Sequence, residues 1–264
     1  MVRRSRLDAE LVRRGLARSR GEAAALVHDG RVLIAGQRAG KPATAVAVDT
    51  PLRLREDDDR TFVSRGGQKL AAALTAFDLD PAGRRCLDAG ASTGGFTDVL
   101  LQRGAREVIA VDVGYGQLAW SLRTDERVHV LERTNVRSLT AEHLGGAVEF
   151  VVADLSFISL RLVLGPLRQC AVPDADFVVL VKPQFEAGRE AVGARGVVRD
   201  EQIRVAAVLG VAAAAREHAL GVADVSASPL PGPAGNVEYF LWLRTDADDV
   251  DESAVRRAVA AGPS

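Results

Sequence analysis

The sequence of 264 residues predicts an α/β protein in which a small basic α+β module precedes a larger domain built on a parallel sheet. From residue 84 onward, continuous apolar runs alternate with predicted helices, which is typical of a parallel sheet covered on both faces. Residues 1–60 contain 13 Lys and Arg against 9 Asp and Glu, whereas residues 61–264 contain 21 against 26. A basic N-terminal segment followed by an acidic remainder favours a polyanion-binding module joined to a domain with another activity.

The basic module begins with two sequence signals for helix starts. Ser5 lies three residues before Asp8, and Ser19 lies three residues before Glu22, both spacings resembling a capping box. The following stretches "RVLIAGQRAG" and "TAVAVD" predict strands with a tight turn. The helices are predicted over 6–14 and 20–28, with a core from Leu7, Leu11, Leu26 and Val27. We therefore expect a helix pair packed on small β structure.

The basic side chains of this module are left for its surface, at a density that favours nucleic acid as the partner. These residues are Arg3, Arg4, Arg6, Arg14, Arg18, Arg20 and Lys41. The basic helix pair alone leaves a DNA-binding helix-turn-helix open as the alternative.

The large domain is predicted to contain seven strands and four helices, with a short edge helix at its end. The strands lie near 84–88, 106–112, 127–131, 148–154, 176–182, 222–228 and 237–243. The helices lie near 95–103, 116–123, 158–169 and 200–220, and "DESAVRRAVAAG" forms the edge helix. Asp200 and Gly221 are the expected start and end of the 200–220 helix. In such a sheet, ligands bind at the carboxyl ends of the strands.

The first of these strands runs into the glycine loop "DAGASTGGFTDVLL", residues 88–101. Gly90, Gly94 and Gly95 permit a tight turn and a close approach of the backbone to a ligand. Asp112 ends the next strand, where it can accept hydrogen bonds from ribose hydroxyls. The loop fits both NAD and S-adenosylmethionine (SAM). Asp88 favours SAM, because an acid can face its sulfonium or amino group but would repel a pyrophosphate.

Four further charged residues lie at strand ends or beside the large domain. They are Lys69, Asp154, Lys182 and Glu238. Each alone fits a surface charge or a structural ion pair, but two lysines and two acids on one rim favour an active site. Lys182 is the most informative, because only three of the 34 basic residues are lysines and this one ends a buried apolar strand.

The sequence closely resembles the TlyA family of ribosomal RNA 2′-O-methyltransferases over nearly the whole chain. The matching motifs are "SRGGQKL", "CLDAGASTGGFTDVLLQRGA", "VDVGYGQLAWSLR", "ERTNVR", "ADLSFISL", "LVKPQFE" and "SPLPGPAGNVEYFLWLR". Residues 5–55 resemble the S4 RNA-binding domain, with the run "RLDAELVRRGLARSRGEAAALVHDGRVLIAGQ" as its hallmark. The resemblance implies a Rossmann-like SAM-dependent methyltransferase domain joined to a small S4-type α+β domain.

The resemblance also implies the chemistry and the partners. Lys69, Asp154, Lys182 and Glu238 match the Lys-Asp-Lys-Glu catalytic tetrad of the FtsJ-like group. The implied substrate is the 2′-hydroxyl of cytidines in 16S rRNA, 23S rRNA or both within ribosomal subunits, since some family members act on both RNAs and others on 23S alone. Loss of the modification is associated in the family with capreomycin resistance. The implied SAM-binding residues are Asp88, Gly90, Ser92, Gly94, Gly95, Asp112, Asn135 and Asp154. Beside the resemblance, the position of Arg133 and Arg137 around Asn135 in "ERTNVR" suits contacts to RNA phosphates, with Arg65 and Arg189 as secondary candidates.

A lysine at position 182 suits this chemistry. A ribose 2′-hydroxyl must lose its proton, and an unperturbed lysine, with a pKa of about 10.4, would stay protonated and accept none. We expect burial beside a second cation to lower the pKa of Lys182, a shift that arginine could not undergo usefully. Lys69 and Glu238 would position the hydroxyl, and Asp154 would orient Lys182. Phe157 is expected either to stack on an unstacked base or to pack in the core.

The predicted division is an S4-like domain at 1–59, a linker at 60–66 and a methyltransferase domain at 67–264. The N-terminus lacks an apolar segment and no window reaches the length of a membrane span, so we expect a cytoplasmic monomer without membrane contact. Two cysteines without CxxC spacing and four scattered histidines predict no metal. A non-catalytic rRNA-binding assembly factor and a small-molecule methyltransferase or NAD oxidoreductase stay open as alternatives.

Overall fold

The computed structural model describes residues 4–17, 19–28, 30–54, 61–188, 192–193 and 196–263. The N-terminal module contains, in chain order, β1 (Arg4–Arg6), α1 (Leu7–Arg13), α2 (Arg20–His28), β2 (Val32–Ile34), β3 (Gln37–Arg38), β4 (Ala45–Ala47) and β5 (Leu52–Leu54). β1 pairs with β4, and β2 lies between β3 and β5, all antiparallel. Leu7, Leu11 and Ala23 are fully buried between the helices and these strands. The helix pair on small β structure is therefore confirmed.

The two predicted helix starts have different outcomes. Ser19 Oγ accepts a hydrogen bond from the backbone N–H of Glu22 at 3.1 Å, which confirms the cap of α2. The cap predicted at Ser5 is wrong. Arg6 stands at the N-cap of α1 without a side-chain cap, because Ser5 is part of β1 and its hydroxyl donates to Glu10.

The large domain is a seven-stranded sheet with helices on both faces. Its strands are β6 (Arg85–Ala89), β7 (Glu107–Val111), β8 (Val128–Leu131), β9 (Val148–Ala153), β10 (Ala171–Val181), β11 (Gly221–Ala227) and β12 (Tyr239–Arg244). Its helices are α3 (Arg65–Ala76), α4 (Gly95–Gln102), α5 (Trp120–Arg123), α6 (Leu164–Gln169), α7 (Pro183–Glu186), α8 (Glu201–Arg216) and α9 (Glu252–Ala260). No helix among the described residues combines the length and apolar character needed to cross a membrane.

The strand order across the sheet is β11-β12-β10-β9-β6-β7-β8. The strands from β6 to β10 pair in parallel, as predicted, whereas β12 is antiparallel to both of its neighbours, β10 and β11. The expectation of an all-parallel sheet is therefore wrong at one strand. The chain between β11 and β12 contains no crossover helix, and a short connection joins strands only in the antiparallel sense.

Alternate residues of the central strands enter two separate cores, one on each face of the sheet. Leu87 and Val151 belong to the core covered by α6, α8 and α9, while Cys86 and Phe150 belong to the core covered by α3 and α4. Phe62 and Val63 also pack against the second core, and α3 begins directly after them. Part of the stretch that we predicted as linker thus lies against the large domain.

Three helix predictions need correction. The helix expected over 116–123 is reduced to α5, because Asp112 and Glu132 accept the backbone N–H groups of Gly114 and Gly116 and hold that stretch as a loop. The helix expected over 158–169 is divided into a 3₁₀ turn, Leu160–Leu162, and α6. The third, predicted to reach residue 220, ends at Arg216, although its predicted start is confirmed because Asp200 caps it. Gly221 begins β11, where a Cβ would lie 1.9 Å from a backbone oxygen of the segment packed against it.

Candidate active site

Strand order brings three of the four predicted catalytic residues to one edge of the sheet. β10 pairs in parallel with β9 and antiparallel with β12. Asp154 and Lys182 directly follow β9 and β10, and Glu238 directly precedes β12. Because β12 runs in the opposite direction, its start lies beside the ends of the other two strands. Lys69, on the second turn of α3, reaches the same edge and contacts Glu238.

The four side chains form two lysine–carboxylate pairs. Lys69 Nζ donates to Glu238 Oε2 at 2.6 Å, and Lys182 Nζ lies 2.5 Å from Asp154 Oδ1. Lys69, Lys182 and Glu238 are 7%, 9% and 1% exposed. The Lys182–Asp154 contact is one of charge, because Oδ1 lacks an aligned hydrogen-bond donor among the described residues. A buried ion pair contributes little to stability compared with apolar packing, so the buried Lys69–Glu238 pair beside the partly buried Lys182–Asp154 pair favours a functional site at this strand-end rim.

Lys182 has a second partner that the sequence did not reveal. Its Nζ donates to Ser156 Oγ at 3.0 Å. The next residue, Phe157, is 92% exposed and has a left-handed backbone (φ 64°), with its ring centroid 5.3 Å from that of Phe185. The core position considered for Phe157 is therefore wrong.

The glycine loop after β6 folds back on the neighbouring strands. Gly90 and Gly94 have φ angles of 89° and 95°, which a residue with a Cβ rarely adopts. The backbone N–H of Gly90 donates to Val111 O at 2.8 Å. A Cβ on Gly90 would lie 2.6 Å from the carbonyl oxygen of Asp154. The glycine loop is therefore in direct contact with the rim, the edge of the sheet that carries Lys69, Asp154, Lys182 and Glu238. Gly95 opens α4, which makes the loop a cradle at the carboxyl edge of the sheet.

Asp88 lies fully buried beneath this cradle. Its Oδ2 accepts a hydrogen bond from Thr97 Oγ1 at 2.6 Å, while its Oδ1 has no hydrogen-bond partner among the described residues. Burial is the main cause that raises the pKa of Asp88 to about 7; the nearby carboxylates of Asp154 and Asp112 act in the same direction, and the hydrogen bonds from Thr97 oppose it. A buried carboxylate oxygen without a donor suits the amino group of a bound amino-acid moiety.

Asp112 joins the two loops that flank the cradle. Its two oxygens accept the backbone N–H groups of Ser92 at 2.8 Å and Gly114 at 2.6 Å. A small cavity lies beside it, lined by Ala91, Ser92, Ala110, Asp112, Gly114, Gln117, Leu118, Val130 and Glu132. Gln117 and Glu132 were not predicted, because only the folded loop brings them here. Asn135 lies on the next strand-end loop, where its Oδ1 accepts the N–H of Arg137 at 3.0 Å and its amide is exposed.

These residues fit SAM. A glycine loop opens α4 directly after the strand that carries a buried carboxylate oxygen without a donor among the described residues, and Asp112 follows the second strand. Asp88 would hold the amino-acid end of SAM and Asp112 its ribose.

The basic residues of the N-terminal module divide into two groups. Arg6 and Arg20 share the carboxylate of Asp8, and Arg14 is held by Glu10 and by backbone carbonyls, so Arg14 is engaged within the module. Arg4 and Lys41 are exposed. Arg3 and Arg18 lie outside the described residues.

The large domain presents further basic residues beside the site. The guanidinium of Arg133 lies 4.4 Å from the ring centroid of Tyr115, and Arg137 is exposed on the same loop. Arg65 donates to Pro231 O at 3.3 Å and so borders the loop that precedes Glu238. Arg189 lies outside the described residues.

The N-terminal module contacts the loop between β7 and α5. Ser19 Oγ, at the start of α2, is 3.2 Å from Gly116 O, and a Cβ on Gly21 would lie 3.3 Å from Gln117 Cγ. Gln117 in turn contacts Ser92 Oγ. This contact between the two domains was not predicted, because it joins residues about a hundred positions apart.

The cysteines and histidines give no sign of a metal centre within the described part of the chain. No three of its His, Cys, Asp and Glu side chains are grouped so that they could hold an ion. Burial raises the pKa of Cys86 to about 12 and that of Cys170 to about 11, so both thiols stay protonated at neutral pH.

Comparison with known families and proteins agrees with this geometry. Residues 62–245 match the FtsJ-like methyltransferases, and residues 5–50 match the S4 domain. The chain is 62% identical to the 16S/23S rRNA (cytidine-2′-O)-methyltransferase TlyA of Mycobacterium tuberculosis, over the full length of both. It is 34% identical to the 23S rRNA (cytidine-2′-O)-methyltransferase TlyA of Campylobacter jejuni, over 69% of this chain and 70% of that protein.

A solved structure shares the whole arrangement. It is named as a hemolysin from Streptococcus thermophilus, is 39% identical, covers 98% of this chain and 96% of its own, and superimposes with a TM-score of 0.76. A Rossmann-like sheet with this cradle and this rim, preceded by an S4 domain, defines an S-adenosylmethionine-dependent methyltransferase with an RNA-binding module. The chain belongs to the TlyA family of FtsJ-like methyltransferases.

Replacing Gly90 with alanine should damage the site and not merely the fold. The added Cβ would meet the Asp154 carbonyl, and a displacement of about 1 Å at a reacting centre can cost about 100-fold in rate. We expect Gly90→Ala to weaken SAM binding, measured by calorimetry, and to lower methyl transfer. Gly83→Ala is the matched control, because Gly83 has a φ of 71° and open space around its Cβ. Equal SAM affinity in both variants would contradict the contact between the cradle and the rim.

The stability of the cofactor-free protein should depend on the ionisation of Asp88. Because its pKa is raised on folding, the bound proton stabilises the folded state at low pH, and this stabilisation is lost as pH rises toward about 7. Between about pH 5.5 and about pH 8, the free energy of unfolding of the wild type should fall by about 2 kcal/mol more than that of Asp88→Asn. Chemical denaturation at both pH values measures this. Asp224→Asn, at an exposed carboxylate, should follow the wild type, and parallel curves for Asp88→Asn would refute the assignment.

Proposed function

We propose that this protein methylates the ribose 2′-hydroxyl of cytidines in ribosomal RNA, in 16S, 23S or both, within ribosomal subunits. The observation that carries the proposal is the two close lysine–carboxylate contacts, Lys69–Glu238, which is buried, and Lys182–Asp154, which is partly buried, beside the glycine loop. The cytidine-2′-O-methyltransferase names of the relatives from Mycobacterium tuberculosis and Campylobacter jejuni support the choice of substrate.

The chain's part in the reaction is to bind, orient and remove a proton. When bound, SAM supplies an activated methyl group to the acceptor oxygen. Asp88 and Asp112 fix the orientation of the cofactor, and the rim holds the acceptor hydroxyl at attack distance, an effect that can supply several kcal/mol of the barrier. Lys182 accepts the hydroxyl proton, which arginine could not do. Lys69 and Glu238 hold the ribose, and Asp154 fixes the Lys182 side chain.

The RNA is recognised by both parts of the chain. We assign residues 1–59 to the S4-like module, in which Arg4 and Lys41 are exposed, and residues 67–264 to the methyltransferase domain, with 60–66 as the connection that already includes the start of α3 at Arg65. Arg133 and Arg137 extend the positive surface beside the cofactor site. The exposed ring of Phe157 suits stacking on a base unstacked near the rim. Such a protein acts where ribosomes are, in the cytoplasm, and we expect it to act as a monomer.

Replacement of Lys182 tests the catalytic proposal directly. Lys182→Ala removes the amine, and Lys182→Arg keeps the positive charge but cannot take a proton at neutral pH. Both should lower methyl transfer from labelled SAM to rRNA by about 100- to 10,000-fold, the range for a positioned acid–base group. Filter binding of rRNA should be retained in Lys182→Arg. Undiminished methylation in either variant would contradict the role of Lys182.

A further inference from the structure

The hydroxyl of Ser156 is a hydrogen-bond partner of the Lys182 nitrogen. Lys182 Nζ contacts Asp154 Oδ1 at 2.5 Å and donates to Ser156 Oγ at 3.0 Å. Asp154 and Ser156 stand two residues apart on the loop that follows β9, so one loop supplies both contacts. Lys182 is 9% exposed, whereas Ser156 is exposed at the mouth of the site.

Because a lysine nitrogen is tetrahedral, these two contacts restrict how the amine is oriented. Besides Cε, the tetrahedral nitrogen has three positions. The Ser156 hydroxyl accepts one N–H, and the Asp154 carboxylate lies against the same nitrogen by charge, without an aligned N–H. In the neutral amine one of the remaining positions carries the lone pair, which is where a proton must arrive.

The 154–160 loop that carries Ser156 is fastened at several points to the segment that carries Lys182. Phe157 packs on Phe185 with ring centroids 5.3 Å apart. The Glu186 carboxylate accepts hydrogen bonds from Ser159 Oγ at 2.5 Å and from the backbone N–H of Leu160 at 2.7 Å. Contacts on both sides of Ser156 in the loop thus fix its hydroxyl relative to Lys182.

We propose that Ser156 is a positioning residue for methyl transfer, holding the Lys182 amine so that its free position faces the acceptor hydroxyl. The proposal rests on the proposed function, because it assigns Lys182 the acceptor proton. Ser156 acts through Lys182 and need not touch the cofactor. Its loss should therefore lower the rate of the chemical step and leave binding of both substrates intact.

The test compares Ser156→Ala and Ser156→Thr with the wild type in methyl transfer from SAM to rRNA. Ser156→Ala should lower kcat about 10- to 100-fold, the range for one hydrogen bond to an ionisable group, with KM for rRNA, the Kd for SAM and the Tm unchanged. Ser156→Thr keeps the hydroxyl and should restore most of kcat. Since Ser156 is exposed, both variants are expected to fold.

The matched control is Ser159→Ala, on the same loop but bonded to Glu186 and not to Lys182. A kcat of Ser156→Ala equal to the wild type would overturn the proposal. So would equal losses in Ser156→Ala and Ser159→Ala without rescue by threonine, because that pattern reports loop structure alone. A wild type that methylates no rRNA would refute the proposed function, and the role of Ser156 with it, whereas an active wild type beside an equally active Ser156→Ala refutes only the latter.

Discussion

The register of the sheet is the constraint on which the site depends. Ala89 of β6 pairs with Val111 of β7 on one side and with Ala153 of β9 on the other, so the residues that follow these strands lie next to one another. Those residues are Gly90, Asp112 and Asp154. β10 and the reversed β12 continue the row with Lys182 and Glu238. The glycine loop and the rim of lysines and acids therefore follow neighbouring strand ends at one edge of the sheet, and a slip of one residue in any strand would turn its side chain at this edge to the other face.

This arrangement explains why charged groups stay buried at the rim. Removing a lysine or a carboxylate from water is unfavourable, and only close pairing offsets the loss of hydration. Lys69 with Glu238, and Lys182 with Asp154, achieve that pairing at 2.6 and 2.5 Å. The two pairs differ in hydrogen bonding and in exposure to solvent. The first is an aligned hydrogen bond between two nearly inaccessible groups, and the second leaves a carboxylate oxygen without an aligned donor beside a more accessible serine.

The sequence predicted those parts of the fold and site that depend on local pattern. The apolar runs located all seven strands of the large sheet, and strand ends together with glycine positions located the cradle and the rim. Parts that depend on contacts between distant segments were not predicted. The direction of β12 follows from a missing crossover helix, and Ser156 matters only because β10 places Lys182 beside it. The helix over 116–123 was overpredicted because the carboxylates of Asp112 and Glu132 accept the N–H groups of Gly114, just before it, and Gly116, at its start.

The contact between the modules adds a physical link between RNA binding and the cofactor site. Ser19 caps the first turn of α2 and also touches Gly116, on the loop whose Gln117 borders the cavity beside Asp112.

The most direct test of the central claim is alkaline hydrolysis of rRNA after ribosomal subunits are treated with the protein and SAM. A 2′-O-methyl group blocks cleavage at its own nucleotide, so a gap in the ladder at a cytidine of 16S or 23S rRNA is the expected result. A complete ladder in both RNAs would contradict ribose methylation by this site.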